Sequence, residues 1–285
     1  MRLTRFAPAP TGYLHLGHVA NALYVWRTAR ELGASVLLRI EDHDRQRCRP
    51  EYEVALLEDL DWLGFRPDLG AADEFRRGSS AYRQSDSGQF YEAALERLQA
   101  AGHQVYTCDC SRKDEATQTP PDENAGGRYS GRCRKRGLAP GPGRGLRVVM
   151  PATVERFEDL RLGPQLQEPA LQCGDLLLRD RLGNWTYQFS VVVDDLRHGI
   201  DLVIRGEDLL ASTGRQLSLA RMLGRPTPPR FLHHPLILKP GGEKLSKGNR
   251  DTSVRDLRAA GMSREQVLRR AAEAVGLQQA TESSG

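Results

Sequence analysis

Two histidines three residues apart, His15 and His18, flank Gly17 in the stretch TGYLHLGH, just after the Pro8-Ala9-Pro10 break. The chain turns at Thr11-Gly12, and a helix is predicted to begin near His15. A helix start offers unpaired N–H groups and partial positive charge, which suit a phosphate. At i and i+3 the two imidazoles share a face and can donate to phosphate oxygens as charge builds. Gly17 lets a base or phosphate approach the backbone closely. A capped helix with two surface histidines, or a zinc pair, would have the same residues. Far along the chain, EKLSKGN places Lys244 and Lys247 in a glycine-rich loop after a strand. Cations delivered by a loop are what phosphoryl and nucleotidyl transfer require, although a solvated surface loop has the same composition. A third group is Cys108-x-Cys110 with Cys133 in a loop-rich segment. Three soft thiolates have the look of a metal clip, completed by a nearby side chain such as His103; the alternative is three unconnected thiols.

The elements that must position these groups follow from periodicity. RLTRFAPAP reads as a strand running into a loop. Val19, Leu23, Trp26 and Ala29 mark a helix from about Leu16 to Leu32, closed by Gly33. SVLLRIED reads as a buried parallel strand with acids at its C-terminal end. EYEVALLEDLDWLGF and SDSGQFYEAALERLQAAG are amphipathic helices, the second capped by Asp86 or Ser87 and stopped by Gly102. This alternation predicts a doubly wound α/β unit. From Val105 to about Arg147 the chain turns polar and loop-rich, as an insertion would. VVVDDLRHGIDLVIRGEDL returns to the strand-then-acid style, and one helical piece runs roughly from Ser253 to Gly276.

The bulk numbers set limits. With 285 residues, 39% hydrophobic and 27% charged, the chain has the composition of a globular protein with a sizeable core. No apolar run reaches the roughly 18–20 residues of a membrane span, and no signal-like segment follows Arg2 and Arg5. The expectation is a cytoplasmic protein without a membrane partner. Five cysteines at irregular spacing do not form a secreted disulfide framework, and Cys48 and Cys173 read as plain thiols. Net charge is +4, and Arg128, Arg132, Arg134, Lys135, Arg136, Arg144 and Arg147 cluster closely. That cluster suits a polyanion or a solvated loop.

Taken together, HLGH resembles the HIGH signature of class I aminoacyl-tRNA synthetases, and KLSKG resembles their KMSKS signature. RFAPAPTGYLHLGH, LRIEDHD, YQFSVVVDDLRHGIDLVIRGEDLLAST and HHPLIL resemble glutamyl-tRNA synthetases in particular, from Arg5 to Asn249. Only about 35 residues follow the lysine loop, too few for a helical anticodon-binding domain. The sequence is therefore similar to the truncated paralogue family, the glutamyl-Q tRNA(Asp) synthetases.

That resemblance implies a Rossmann-like doubly wound parallel sheet split by a zinc-containing insertion. It implies halves of the catalytic domain at 1–104 and 181–250, an acceptor-binding-like insertion at 105–180, and a short helical remnant at 251–285, with no anticodon-binding domain. It implies ATP-dependent activation of L-glutamate to an adenylate, and transfer to queuosine at the wobble position of tRNA(Asp). Glutamate would be held by Arg5, Phe6, Ala7, Pro8, Ala9, Glu41, Tyr187 and Arg205, with Glu41 on the α-ammonium. ATP would lie on His15, Gly17, His18 and Lys247, with Mg²⁺ accompanying it; His15, His18, Lys244 and Lys247 would carry the catalytic role. The family pattern Cys-x-Cys…Tyr-x3-Cys makes Tyr129 the fourth ligand of a structural Zn²⁺ beside Cys108, Cys110 and Cys133. Gly248 stands where the signature of full synthetases has Ser, and Leu245 where it has Met. A monomer is expected. The rival expectations are a minimal glutamyl-tRNA synthetase charging acceptor ends, a non-catalytic paralogue that binds glutamate, nucleotide or tRNA, and a small-molecule adenylating ligase.

Overall fold

The computed structural model describes residues 2–111, 114, 128–237 and 252–277. Lys244, Leu245, Lys247 and Gly248 lie outside the described residues. Strand β1 (Arg2–Phe6) pairs in parallel with β2 (Ala34–Leu38), from Arg2↔Ala34 to Phe6↔Leu38. Between them runs α1 (Leu16–Leu32), which buries Val19, Ala20, Ala22, Val25, Thr28 and Ala29 and ends at Gly33 with φ +62°. Its bounds are those that the 3.6-residue pattern predicts. Helices α2 (Pro50–Leu63), α3 (Ala72–Arg77) and α4 (Gly88–Ala100) follow.

Three strands, β3 (Val105–Cys108), β4 (Gly145–Val148) and β7 (Leu176–Arg179), make a separate antiparallel sheet in the order β3–β4–β7. Strands β5 (Glu155–Asp159) and β6 (Gly163–Gln167) form a hairpin. They fall within the span expected as insertion, yet β5 pairs in parallel with β9 (Arg230–His234), which pairs in parallel with β8 (Leu202–Gly206). A four-residue helix, α5 (Pro169–Gln172), precedes β7.

Two readings need correction. Val191–Asp195 lies in a helix, α6 (Tyr187–Arg197), not in a strand. Phe189 and every residue from Ser190 to Asp195 are buried there. A helix enclosed on all sides loses its polar face, so its apolar run cannot be told from a strand by pattern. The C-terminal piece is two helices, α8 (Val254–Ala259) and α9 (Arg264–Ala274), separated at Gly261 with φ +82°. Ser253 and Ser263 each form a capping box. Helix α7 (Thr213–Met222) lies between β8 and β9.

The two halves of the α/β unit meet where β8 lies beside β1. The Leu3 N–H donates to the Asp201 carboxylate at 2.8 Å, and the Asp201 N–H donates to the Leu3 carbonyl at 3.1 Å. The chain continues from β1 to β2 on one side and from β8 to β9 on the other. Such a switch point opens a crevice at the carboxyl ends of the strands, where α/β sheets bind ligands. One apolar core packs α1, β1, β2, α2 and α9; a second packs α4, β4, β7, α6 and α7.

Candidate active site

The loop after β1 leads into α1 through His15, the N-cap. The Gly17 N–H donates to His15 Nδ1 at 3.1 Å, and the His15 N–H donates to His18 Nδ1 at 3.1 Å. The two rings lie 3.9 Å apart. Because each Nδ1 accepts, the proton of each neutral ring sits on Nε2. Gly17 has a packing reason that its sequence does not reveal: a Cβ there would lie 2.9 Å from His15 Cε1. Both flanks of the 238–251 segment are held against this region. Ser253 bridges His15, and the Val254 N–H donates to the Leu14 carbonyl at 2.7 Å. On the other flank, His234 stacks on Tyr24 at 4.8 Å and its Nε2 lies 3.1 Å from Asn21 Oδ1.

The crevice brings Arg5, Glu41, Tyr187 and Arg205 together. Residues Arg39 and Glu41 follow β2, and their N–H groups donate to the carbonyls of Phe6 and Pro8 at 3.0 and 3.1 Å. This carries the β1–β2 pairing into the loop and sets Glu41 beside it. The Phe6 ring itself belongs to the core, edge-on to Trp26 at 5.5 Å; Pro8 is buried, and Ala7 and Ala9 are half-buried. Arg39 is fully buried and donates from Nη2 to Glu41 and from Nη1 to Asp195, both at 2.7 Å. Asp195 also accepts from Arg5 Nε at 3.1 Å. Burial alone would raise the Asp195 carboxyl, but Arg5 and Arg39 outweigh it and hold the group at about 2. Burial, with the Glu41 charge, pushes the Tyr187 phenol up, while Arg205 and Arg5 pull it the other way.

Arg205 makes different contacts. Its Nε donates to His233 Nε2 at 3.0 Å, Nη1 to Gln216 Oε1 at 2.6 Å and Nη2 to Thr213 Oγ1 at 2.8 Å. His233 is fully enclosed, with Nδ1 2.6 Å from Asp159 Oδ2. Burial and the Arg205 charge outweigh Asp159 and bring His233 down to about 4. Sequence reasoning missed Arg39, Asp194, Asp195, Asp159, Thr213, Gln216 and His233. One signal was present: an arginine inside the apolar run SVLLRIE needs a buried acid as partner.

The cysteines converge. The Sγ atoms of Cys108, Cys110 and Cys133 all lie within 4.8 Å of one another, and Cys110 and Cys133 are 3.5 Å apart without a disulfide. A tetrahedral zinc with Zn–S near 2.3 Å would space its sulfurs about 3.8 Å apart. Tyr129 Oη lies 3.5 Å from Cys108 Sγ and 3.9 Å from Cys110 Sγ, and accepts the Cys133 N–H at 2.9 Å. Burial pushes the Tyr129 phenol up and the Cys110 thiol up to about 12, so a cation is what would draw their protons off. Arg147 Nε and Arg136 Nη1 point at the sulfurs of Cys108 and Cys133, each at 3.4 Å. Donors to sulfur are the outer contacts that metal thiolates favour. The donor set therefore fits a metal ion, with Tyr129 rather than His103 at the cluster.

Of the basic cluster Arg147 is buried, and Arg128, Arg132, Arg134, Lys135, Arg136 and Arg144 are exposed, some of them paired with acids. Arg134 grips Asp175 at 2.6 and 3.0 Å, Arg136 pairs with Asp109 at 2.6 Å, and Arg147 is buried with its guanidinium 3.8 Å over the Tyr129 ring. A cleft of about 720 Å³ joins this region to the crevice, lined among others by His43, Arg47, Cys110, Asp180, Asn184 and Tyr187.

A family profile described as "tRNA synthetases class I (E and Q), catalytic domain" matches residues 2–283. The chain belongs to the class I tRNA synthetases, which are ligases. It is 42% identical over 263 residues to a curated glutamyl-Q tRNA(Asp) synthetase of Geobacter sulfurreducens, covering 90% of this chain and 80% of that one. It is 40% identical to a glutamate–tRNA ligase of Nitratidesulfovibrio vulgaris, over 86% of this chain but 51% of the ligase. Among solved structures, a glutamate tRNA ligase from Elizabethkingia meningosepticum superposes with a TM-score of 0.69 at 30% identity. That match covers 92% of this chain, which spans about half of the solved protein. A methionyl-tRNA synthetase of Mycobacterium tuberculosis, at 12% identity and TM-score 0.53, shares the fold. The synthetase has no helix long and apolar enough to cross a membrane among its described residues.

Two outcomes are expected. Gly174, at φ +66°, lies so close to Tyr129 that an added Cβ would come within 1.9 Å of the Tyr129 carbonyl oxygen. Gly174→Ala should displace Tyr129 and lower zinc content or zinc affinity at least ~10-fold, measured by metal analysis and chelator competition, while the cysteines remain. The second concerns acid. His233 and His198 are each held down to about 4, burial being the largest cause, whereas unfolded histidine titrates near 6.5. The unfolded chain binds those protons first, so their contribution to stability is complete above about pH 6.5 and is lost as pH falls towards 4. Melting temperatures should fall across that window, and His233→Gln should flatten the fall.

Proposed function

We propose that this synthetase activates L-glutamate with ATP and transfers it to the queuosine base at the wobble position of tRNA(Asp). The observation that carries this reading is the likeness, over most of both lengths, to curated glutamyl-Q tRNA(Asp) synthetases. The crevice supplies the chemistry. Glutamate has two carboxylates and one ammonium, and Arg5, Arg205, Tyr187 and Glu41 offer guanidinium, hydroxyl and carboxylate groups to match.

In this mechanism ATP lies across the start of α1, its phosphates at the Nε2–H groups of His15 and His18. The glutamate α-carboxylate attacks the α-phosphorus in line; the bond to the leaving oxygen breaks and pyrophosphate departs. Lys247, helped by Lys244, neutralises the leaving group; Mg²⁺, when bound with ATP, would add positive charge there. A hydroxyl of the queuosine cyclopentenediol then attacks the acyl carbon and AMP leaves. Positioning and electrostatics supply the acceleration, without a covalent enzyme intermediate. The cleft running from Tyr187 past Asp180 and Asn184 is the route for the modified base. Cys108, Cys110, Tyr129 and Cys133 would hold a structural Zn²⁺, which would fix one wall of that route. The catalytic halves at 1–104 and 181–250, the insertion at 105–180 and the helical end at 251–285 work as one monomer in the cytoplasm.

The test is transfer of labelled glutamate onto tRNA(Asp) with and without queuosine, with tRNA(Glu) alongside. Label on the queuosine form alone is expected. Label on tRNA(Glu) would favour acceptor-end charging, the reading that the likeness to glutamate–tRNA ligases supports. In the same preparation, Lys247→Ala should lower glutamate-dependent pyrophosphate exchange by ~10²–10³-fold with unchanged melting; near wild-type exchange would remove Lys247 from the mechanism.

A further inference from the structure

Three adjacent strands end in one buried line of polar groups: Asp159 on β5, His233 on β9 and Arg205 on β8. Arg205 and His233 are register partners, so their side chains meet by strand pairing. The Asp159 carboxylate is met by donors. Oδ1 accepts the N–H groups of Arg161 and Leu162 at 3.0 and 2.9 Å; Oδ2 accepts the His233 N–H at 2.9 Å and faces His233 Nδ1 at 2.6 Å. That assigns the ring proton to Nδ1 and leaves Nε2 as the acceptor for Arg205 Nε. The opposite tautomer would set Nε2–H against the Arg205 N–H, donor to donor at 3.0 Å.

Arg5 and Arg39 hydrogen-bond to carboxylates, whereas Arg205 hydrogen-bonds to neutral acceptors: His233, Gln216 and Thr213. Those three contacts use one N–H each on Nε, Nη1 and Nη2. Among the described residues these three contacts leave one donor on each terminal nitrogen towards the crevice, where the Tyr187 hydroxyl is the neutral group within hydrogen-bond reach of the guanidinium. A buried guanidinium held by neutral partners keeps its charge for an anion that arrives later.

We propose that the Asp159–His233 pair is a positioning device for Arg205, fixing the histidine tautomer so that the guanidinium turns its crevice-facing edge, beside the Tyr187 hydroxyl, to a substrate carboxylate. The inference rests on the glutamate reading of the crevice. Asp159 and His233 act through Arg205 and touch no substrate themselves.

Glutamate-dependent ATP–pyrophosphate exchange tests it, with KM for glutamate, KM for ATP and kcat separated. In His233→Gln the amide oxygen reaches the Nε2 position and still accepts from Arg205, so KM for glutamate should stay within about threefold of wild type. In His233→Asn the amide reaches only the Nδ1 position and meets Asp159 instead, so KM for glutamate should rise ~10-fold or more, with KM for ATP unchanged. Asp159→Asn, which permits the opposite tautomer, should give the same rise. Thr213→Val removes a hydroxyl that contacts both Arg205 and His233 at nearly constant size; it should also raise KM for glutamate, and serves if the asparagine variants melt early. Equal KM values for the Gln and Asn variants, or a parallel rise in KM for ATP, would overturn the inference while wild-type exchange leaves the glutamate reading standing. Wild-type protein without glutamate-dependent exchange would overturn both.

Discussion

The closure of this fold depends on one guanidinium that water does not reach. Arg39, just past β2, holds Glu41 on its own strand extension and Asp195 on α6, while Asp195 also holds Arg5 on β1. Residues 190 positions apart are thereby tied across the switch point. Taking such charges out of water costs several kcal/mol per ion, and attraction offsets that cost only when the geometry is complete. The network is therefore weak evidence for extra stability and better evidence for specificity of arrangement. With Asp194 held in turn by Gln84, Tyr91 and Arg197, α6 can seat in one way, and Tyr187 at its first turn is delivered to the crevice.

What was legible in the sequence was whatever had a local cause. The bounds of α1 follow from its apolar stripe and from Gly33, and the role of His15 at its start follows from the turn before it. The convergence of Cys108, Cys110 and Cys133 was legible because thiols so spaced in a loop-rich segment, with little core around them, suit a shared cation better than separate burial. What escaped was set by burial on several sides at once. Val191–Val193 is a short apolar run, and Asp194 and Asp195 after it are buried as well, so the pattern fits either element, and only packing between α4, β7 and α7 decides. Arg39 and His233 escaped because a charge or imidazole in an apolar strand has meaning only through partners far along the chain. Gly17 reads as room for a ligand, and in the fold it also makes room for the His15 ring; the room that Gly174 leaves for the Tyr129 backbone has no sequence signal.

In the arginine-rich segment several cations have structural tasks besides facing solvent. Seven basic residues close together suggest an open polyanion site. In the fold, Arg134 and Arg136 pair with Asp175 and Asp109, and Arg147 lies under the Tyr129 ring. These cations stabilise the cysteine-lined clip: Arg136 and Arg147 point at sulfur, and Arg134 locks Asp175, which also accepts from the Tyr106 hydroxyl. The positive charge that would favour thiolates is thus built in beside them. Arg134, Arg136 and Arg147 thus serve the wall of the cleft, while Arg128, Arg132, Lys135 and Arg144 remain on the surface.

The crevice and the cleft meet at Tyr187, and their chemistry differs in a way that orders their use. On the crevice side, Arg5 and Arg39 are matched by Asp195 and Glu41, whereas the hydrogen bonds of Arg205 go to neutral groups. Among the described residues of the crevice, Arg205 is the guanidinium whose hydrogen bonds go to no acid, which would suit an entering carboxylate. On the cleft side, His43, Asp44, Gln46, Asp180 and Asn184 present a mixed polar surface suited to hydroxyls and a base. The anionic substrate would therefore be fixed first by long-lived electrostatics in a dry crevice, where charges act strongly. In the proposed reaction the hydroxyl-bearing acceptor would approach through the polar-lined cleft. A fold that ties β1 and β2 to α6 through Arg5, Arg39 and Asp195 shapes both compartments at once, because the network that uses those two arginines leaves Arg205 with neutral hydrogen-bond partners.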